Sequence, residues 1–269
     1  MELLEWALIP KTPSGRGEDR VVIAPHYLAV IDGASSLDER RDGSGRTGGA
    51  LVADTLASAL QALGPLPAEA LVRALSRAVR AALDASGFAT GPRPAASAAI
   101  HCRQQAIVLR VGDCGFVVDG RINRPLKAVD ALLTNLRAFS AALGTEALSP
   151  SSAQDPAAGG DAARAAILPF LRAQHHLQNR TGAWGFGVFD GSTVPPAHIT
   201  QCPGPPGSEV TLFTDGYPAP ARSLAEAEHL LQQALRDDPA CLGRNPGTKG
   251  WAGPPARSYD DRAYLRFRT

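Results

Sequence analysis

The sequence predicts an α+β sandwich, two packed sheets flanked by helical layers. Three observations predict it. Strands come in short hairpin-like runs, helices arrive in pairs after those runs and not singly after each strand, and the stretch Tyr27 to Ile31 is apolar almost throughout. Single helices after each strand would mark a doubly wound parallel sheet. An unbroken apolar run marks a strand covered on both faces.

In chain order, Trp6 to Ile9 is predicted as a first strand, followed by a Pro/Gly/Ser loop from Lys11 to Gly17. Arg20 to Ala24 and Tyr27 to Ile31 are the next two strands, with Ala24-Pro25-His26 as their turn. Gly33 to Gly45 is polar and glycine-containing, hence a loop. Val52, Leu56, Ala59 and Leu60 recur at helical spacing over Ala50 to Leu60, with Ser44 or Thr47 as the cap. Leu71, Val72, Leu75, Val79 and Leu83 make one apolar stripe on a second helix, Ala68 to Ala85.

Short strands follow at Ser97 to Cys102, Gln105 to Val111 and Gly115 to Val118, and Asp119-Gly120 turns into Arg121-Ile122. Val129 to Leu143 and Asp161 to Leu177 form the next helix pair, with Asp161 as an N-cap. Gly144 to Gly160, rich in Ser, Pro, Ala and Gly, is the expected flexible stretch between them. Strands resume at Trp184 to Phe189, His198 to Gln201 and Glu209 to Thr214. Leu224 to Leu235 is a helix, Asp237 to Ser258 a Gly/Pro loop, and Arg262 to Arg268 a half-buried closing strand.

Composition narrows the function. The 269 residues are 44% hydrophobic and 20% charged, enough for one large domain with a substantial core. A net charge of +1 gives no strong attraction to nucleic acid or an anionic membrane. No apolar run spans a membrane, and Glu2 and Glu5 argue against a signal peptide. Cys102, Cys114, Cys202 and Cys241 lack any C-x-x-C pair and are expected as reduced thiols of a cytoplasmic protein. The Ala, Gly, Pro and Arg richness, with few Lys, matches high-GC bacterial coding.

Two motifs are set aside. Gly43-Ser44-Gly45-Arg46-Thr47-Gly48 matches G-x-G-x-x-G, but a polar loop separates it from the preceding strand, where a dinucleotide fingerprint needs its first glycine. His175 and His176 are adjacent and point to different helix faces, a poor metal pair.

The chemistry lies in carboxylates at strand ends. Glu18-Asp19 follows Gly15-Arg16-Gly17. Asp32-Gly33 ends the strand Leu28 to Ile31, Asp113 follows Val111-Gly112, Asp215-Gly216 ends the run Val210 to Thr214, and Asp260-Asp261 opens the last strand. One Asp-Gly is an ordinary turn. A set of carboxylates drawn from distant stretches is what a hard cation site needs, because shared cations relieve their mutual repulsion.

This ordered set resembles the metal-dependent protein phosphatases of type 2C, over roughly Gly15 to Phe267. The resemblance implies one domain over residues 1–269. It would be a four-layer α-β-β-α sandwich whose two antiparallel sheets are flanked by helix pairs, with a divergent flap-like insertion at about 128–180. It implies a centre of two Mg²⁺ or Mn²⁺ ions and a third, weakly held one. Asp32 would bridge two ions and the Gly33 carbonyl would ligate one. Asp215 and Asp260 would hold the first ion, Glu18 and Asp19 the second, and Asp113 with Asp215 the third. Two such ions lower the pKa of a shared water and clamp a phosphate oxygen for in-line attack, so Asp32, Asp215 and Asp260 are the expected catalytic residues. Arg16 is the candidate clamp on the substrate phosphate, with an ordinary loop arginine as the alternative.

The chain departs from the family pattern in three places. Ala34 stands where the family often has the histidine of Asp-Gly-His-Gly-Gly, so protonation of the leaving group would fall to another donor. The loop Ala34 to Thr47 pushes the Gly-Gly pair to Gly48-Gly49 and carries Arg40, Arg41 and Arg46, either substrate readers or solvated charges. The segment Val129 to Arg180 replaces the usual flap. The implied activity is phosphomonoester hydrolysis, on phosphoserine or phosphothreonine in proteins or on a phosphorylated small molecule. A catalytically silent relative would lack ligands that this chain keeps.

Overall fold

Every second residue of β3 (Tyr27–Gly33) serves a different core. Ala29 and Ile31 pack with the helix-side cluster, and Leu28 and Val30 with the cluster between the sheets. The two-residue period of a strand makes that division. The computed structural model describes residues 1–13, 15–34, 37–144 and 160–269. Among them, ten strands make two five-stranded antiparallel sheets.

The first sheet runs β2 (Arg20–Ile23), β3, β4 (Ala96–Cys102), β5 (Ile107–Val111), β8 (Ile199–Pro203). The second runs β1 (Glu2–Ile9), β10 (Arg262–Arg268), β9 (Glu209–Phe213), β6 (Gly115–Val118), β7 (Arg121–Asn123). Leu212, Ala263, Leu265 and Phe267 of the second sheet meet Leu28, Val30 and Val108 of the first in the shared core.

Helices α1 (Gly48–Ala62) and α2 (Ala68–Asp84) cover the outer face of the first sheet. Their apolar stripes fall where the spacing predicts, with Leu56, Leu71, Leu75 and Val79 fully buried. Helix α5 (Leu224–Asp237) packs on the other sheet, with Ala227 against Phe213, Tyr217 and Tyr264. The pair α3 (Ala128–Leu143) and α4 (Ala162–Ala173) packs on itself and on Ala95, Phe186 and Val188. The predicted α+β sandwich is therefore present. Thr47 and Asp161 cap α1 and α4, accepting from Ala50 N at 3.2 Å and Arg164 N at 2.8 Å.

Some boundaries differ. The first strand starts at Glu2, not Trp6, because β1 pairs with β10 along its full length. Trp184 to Phe189 is not a strand and makes only isolated bridges, Phe186 to Gln178 and Phe189 to Ala96. Gly185 and Gly187 interrupt it, and the Asn179 side chain takes up the Val188 backbone, accepting from N at 3.1 Å and donating to O at 3.0 Å. Helix α4 stops at Ala173 and tightens into a 3-10 turn, Gln174–Leu177, which carries His175 and His176. Most of the expected flexible stretch, 145–159, lies outside the described residues. No helix among the described residues is long and apolar enough to cross a membrane.

Candidate metal centre

Two backbone features set the strand ends. Asp32 is the register partner of Ser97 on β4, which brings the β3 end beside the β5–β6 turn. That turn needs Gly112 at φ +89, in direct contact with Ser97, where a side chain would collide. Gly49, in the first turn of α1, lies so close to Ala34 and Gly33 that a methyl group would run into the Ala34 carbonyl. The Gly-Gly pair thus lets α1 start against the Asp32-Gly33 loop.

Asp32, Asp113, Asp215 and Asp260 all line one cleft of about 760 Å³. They come from the ends of β3, β5 and β9 and the start of β10, so the sequence-predicted carboxylates of four distant segments do converge. Residues of α3 and α4, among them Asp130, Thr134, Arg164 and Leu171, form a wall of the same cleft. Glu18 and Asp19 are buried and do not line it. Asp19 is within electrostatic reach of Asp260 and Asp215.

Arg16 is exposed and lies outside the cleft. Arg40 does line the cleft, but it is held by Asp38 (2.9 Å) and the carbonyls of Thr90 and Pro92 (2.9 and 2.5 Å). Arg46 pairs with Asp42 (2.8 Å) and Asp54 (3.1 Å), and Arg41 donates to the Arg40 carbonyl (2.8 Å).

Each carboxylate has its own environment. Thr47 Oγ1 donates to Glu18, and Thr214 Oγ1 donates to Asp19 at 2.7 Å. Asp261 is a backbone clamp, accepting from Lys11 N at 2.7 Å and Glu18 N at 2.9 Å. Asp260 takes the ammoniums of Lys11 (3.2 Å) and Lys249. Asp113 takes the Ser97 hydroxyl on one oxygen and Lys127 Nζ, at 2.6 Å, on the other. Among the described residues, no hydrogen bond or ion pair reaches the carboxylates of Asp32 or Asp215, and no three Asp, Glu, His or Cys side chains close on a single point at ligating distance. Ammonium groups share the space instead.

The protonation pattern follows. Burial, then repulsion from Asp215, Asp19 and Asp113, pushes Asp32 well above the carboxylate range. Burial does the same to Asp19, against the opposing Thr214 bond. Asp215 is open to the cleft, yet the surrounding protein desolvates it and Asp260 and Asp113 repel it, so it is pushed up to about 7. Asp113 and Asp260 go the other way. Burial raises both, but Lys127 outweighs it at Asp113 and Lys249 with Lys11 at Asp260. Oxygen donors crowded until Asp19, Asp32 and Asp215 resist ionisation fit a hard divalent cation.

The three lysines are the residues that motif reading passes over. The sequence has 27 basic residues and only three are lysines, Lys11, Lys127 and Lys249. All three contact the carboxylates of this centre. Arg137, buried in α3, places one of them. It holds Asp161 at 3.0 Å and the carbonyls of Ala240, Cys241 and Gly247 at 2.8, 3.1 and 2.9 Å, fixing the loop that carries Lys249. The available signal was lysine scarcity itself.

A family model described as Protein phosphatase 2C matches residues 20–239. No curated protein sequence matches the chain. Among solved structures, the fold is similar to the Mycobacterium tuberculosis serine/threonine phosphatase PstP/Ppp, at 16% identity and TM-score 0.50, covering 99% of this chain and 98% of that one. It is similar to a bacterial serine phosphatase at 11% identity and TM-score 0.51, covering 97% and 95%. A structure of the PstP catalytic domain in complex with 2 manganese ions matches at 16% identity and TM-score 0.48, covering 99% and 98%.

Proposed function

The chain belongs to the protein phosphatase 2C family and is a metal-dependent phosphatase, and from that premise we propose that it hydrolyses phosphoserine or phosphothreonine in proteins, using Mg²⁺ or Mn²⁺ held in the acidic cleft. One observation carries the reading. Four carboxylates from four separated strand ends line a single cleft, and two of them, Asp32 and Asp215, are held above the usual carboxylate range with no hydrogen-bond or ion-pair partner among the described residues.

Asp32, Asp215, Asp260 and the Gly33 carbonyl are the groups that would hold the ions, with Glu18 and Asp19 behind them. Bound there, two divalent ions supply a nucleophilic water at neutral pH and stabilise charge on the transferring phosphoryl group. The chain's own residues do the positioning. Thr214 orients Asp19, Thr47 orients Glu18, and Asp261 fixes the backbone that carries Glu18. Lys249 and Lys11 set the two oxygens of Asp260. Helices α3 and α4 serve as the flap over residues 128–180 of a single phosphatase domain, since they wall the cleft beside the acids. With Arg16 outside the cleft, the phosphate clamp falls to basic groups that do line it, such as Arg93 and Lys249.

The test is hydrolysis of an aryl phosphate with Mn²⁺, with Mg²⁺ and with chelator, beside Asp32→Asn, followed by phosphothreonine peptides against a panel of small phosphate esters. Metal-dependent turnover, lost in the variant and preferring peptides, supports the proposal. Preference for a small ester moves the substrate to a phosphorylated metabolite class. A metal-loaded chain with no turnover on any of them sinks the catalytic reading.

A further inference from the structure

Lys127 pairs with Asp113, one of the two carboxylates that the family resemblance assigns to a third metal ion, and the other is Asp215. Its ammonium is 2.6 Å from Asp113 Oδ2 and 3.3 Å from Asp130 Oδ2, and Asp215 lies within its electrostatic reach. The ring of Phe186, its centroid 5.1 Å from Nζ, covers another side. The second oxygen of Asp113 is taken by Ser97. Both oxygens of this carboxylate are therefore engaged by the protein, unlike those of Asp32 and Asp215. Asp260 is engaged likewise, but by two lysines from loops, Lys11 and Lys249, and not by one ammonium fixed at a helix start.

We propose that the Lys127 ammonium is the built-in third cation of this centre, so that the site takes two divalent ions and no more. The inference rests on the two-metal reading above and deepens it.

Three independent features support it. The first is where Lys127 sits in its helix. It is the N-cap of α3, and its side chain makes no capping bond. Cations are disfavoured at that end by the helix dipole, and Ser, Thr, Asp or Asn would cap it. A lysine there is explained by what it reaches, not by the helix it starts.

The second feature is how firmly it is held. Ala131 N donates to the Lys127 carbonyl at 3.0 Å, and Arg124, three residues earlier, donates to the Tyr217 carbonyl at 3.2 Å and to that of Pro218. Lys127 thus carries the first backbone hydrogen bond of α3, and Arg124 ties down the segment just before it, which sets the backbone from which the side chain turns into the cleft.

The third feature is residue choice. A chain that uses arginine for nearly all its positive charge places lysine at the points where a cation meets these acids. An ammonium is a compact point charge and the closest side-chain equivalent of an ion, whereas a guanidinium is a planar fork. A third dication would have to displace this ammonium from Asp113 or sit beside it against like-charge repulsion.

The test is manganese stoichiometry, by equilibrium dialysis with metal analysis, on the full chain and two variants whose melting curves show them folded. The expected result is two Mn²⁺ per wild-type chain, three for Lys127→Gln, and two for Asp113→Asn, because Asp113 is held by lysine and not by metal. Three ions on the wild type, or two on Lys127→Gln, overturns the proposal and leaves the phosphatase reading intact. Should Lys127→Gln fail to fold, Asp113→Asn decides: two ions uphold the proposal and loss of an ion overturns it. A wild-type chain that binds no manganese overturns the metal centre itself.

Discussion

Thr214 Oγ1 donates a hydrogen bond to Asp19 Oδ2 at 2.7 Å and accepts one from the Ala263 backbone N–H at 2.8 Å. One hydroxyl therefore joins the β2 side of the first sheet to the β9–β10 ladder of the second, and it does so at the carboxylates. Removing it leaves a buried carboxylate and a buried N–H without this partner. Thr214→Val keeps the shape and deletes the bond. The expected outcome is a fall of about 10–100-fold in Mn²⁺ affinity, as for other groups that orient ligands, measured by calorimetric titration. Unchanged affinity would show that Asp19 needs no orientation from Thr214.

Asp32 is the most crowded acid of the set, with Asp215, Asp19, Asp113 and Asp260 all opposing its charge. Asp32→Asn removes a carboxyl that, without metal, the folded chain must either ionise against these charges or protonate, a cost to folding in both cases. Its melting temperature in chelator is expected to rise above that of wild type, by roughly 2–4 °C for each kcal/mol relieved. Added Mn²⁺ should then stabilise the variant less than it stabilises wild type, and turnover should be lost. A variant that melts lower than wild type in chelator would mean that the Asp32 charge is not opposed in the folded chain.

The sheets and the acids on them were legible because both write a local pattern. The near-continuous apolar run of β3 and the stripe of α2 fix their own burial, and Asp-Gly after an apolar run marks a strand end. The lysines were not legible. Lys11 and Lys249 stand in loops and Lys127 at a helix start. Their partners at the centre, Asp260 for the first two and Asp113 for the third, lie across loops that no helix or strand period spans, so no regular spacing announces them. Arg16 is the converse case: it stands two residues before Glu18, yet it is exposed where Glu18 and Asp19 are buried, a difference that proximity in sequence does not announce.

The position of Arg16 yields its own expectation. An exposed side chain outside the cleft contributes little to phosphate binding, and surface changes of this kind stay within about 0.5 kcal/mol. Arg16→Ala should leave kcat/KM for an aryl phosphate within about twofold of wild type. A loss of tenfold or more would place the guanidinium at the substrate after all, through a movement of the 11–17 loop.

The pH dependence of stability has a definite sign. Asp19, Asp32 and Asp215 are all raised above the ordinary Asp value, Asp215 to about 7. Glu18 and Asp130 are raised as well, against the opposite effect of the single buried His101, held down to about 4. Across that window the folded chain therefore binds more protons than the unfolded one, and stability falls as pH rises. Asp113 and Asp260 are lowered by their lysines and act below the ordinary carboxylate range, outside this window. In chelator, the melting temperature should therefore decline between about pH 5, above the ordinary carboxylate range, and about 7. With Mn²⁺ present the order reverses, because the cation binds the ionised carboxylates and competes with their protons, so metal stabilisation should grow with pH over the same span. Melting curves at several pH values, with chelator and with Mn²⁺, check both slopes at once. A flat or rising curve in chelator would mean that the lysines neutralise the centre completely on their own.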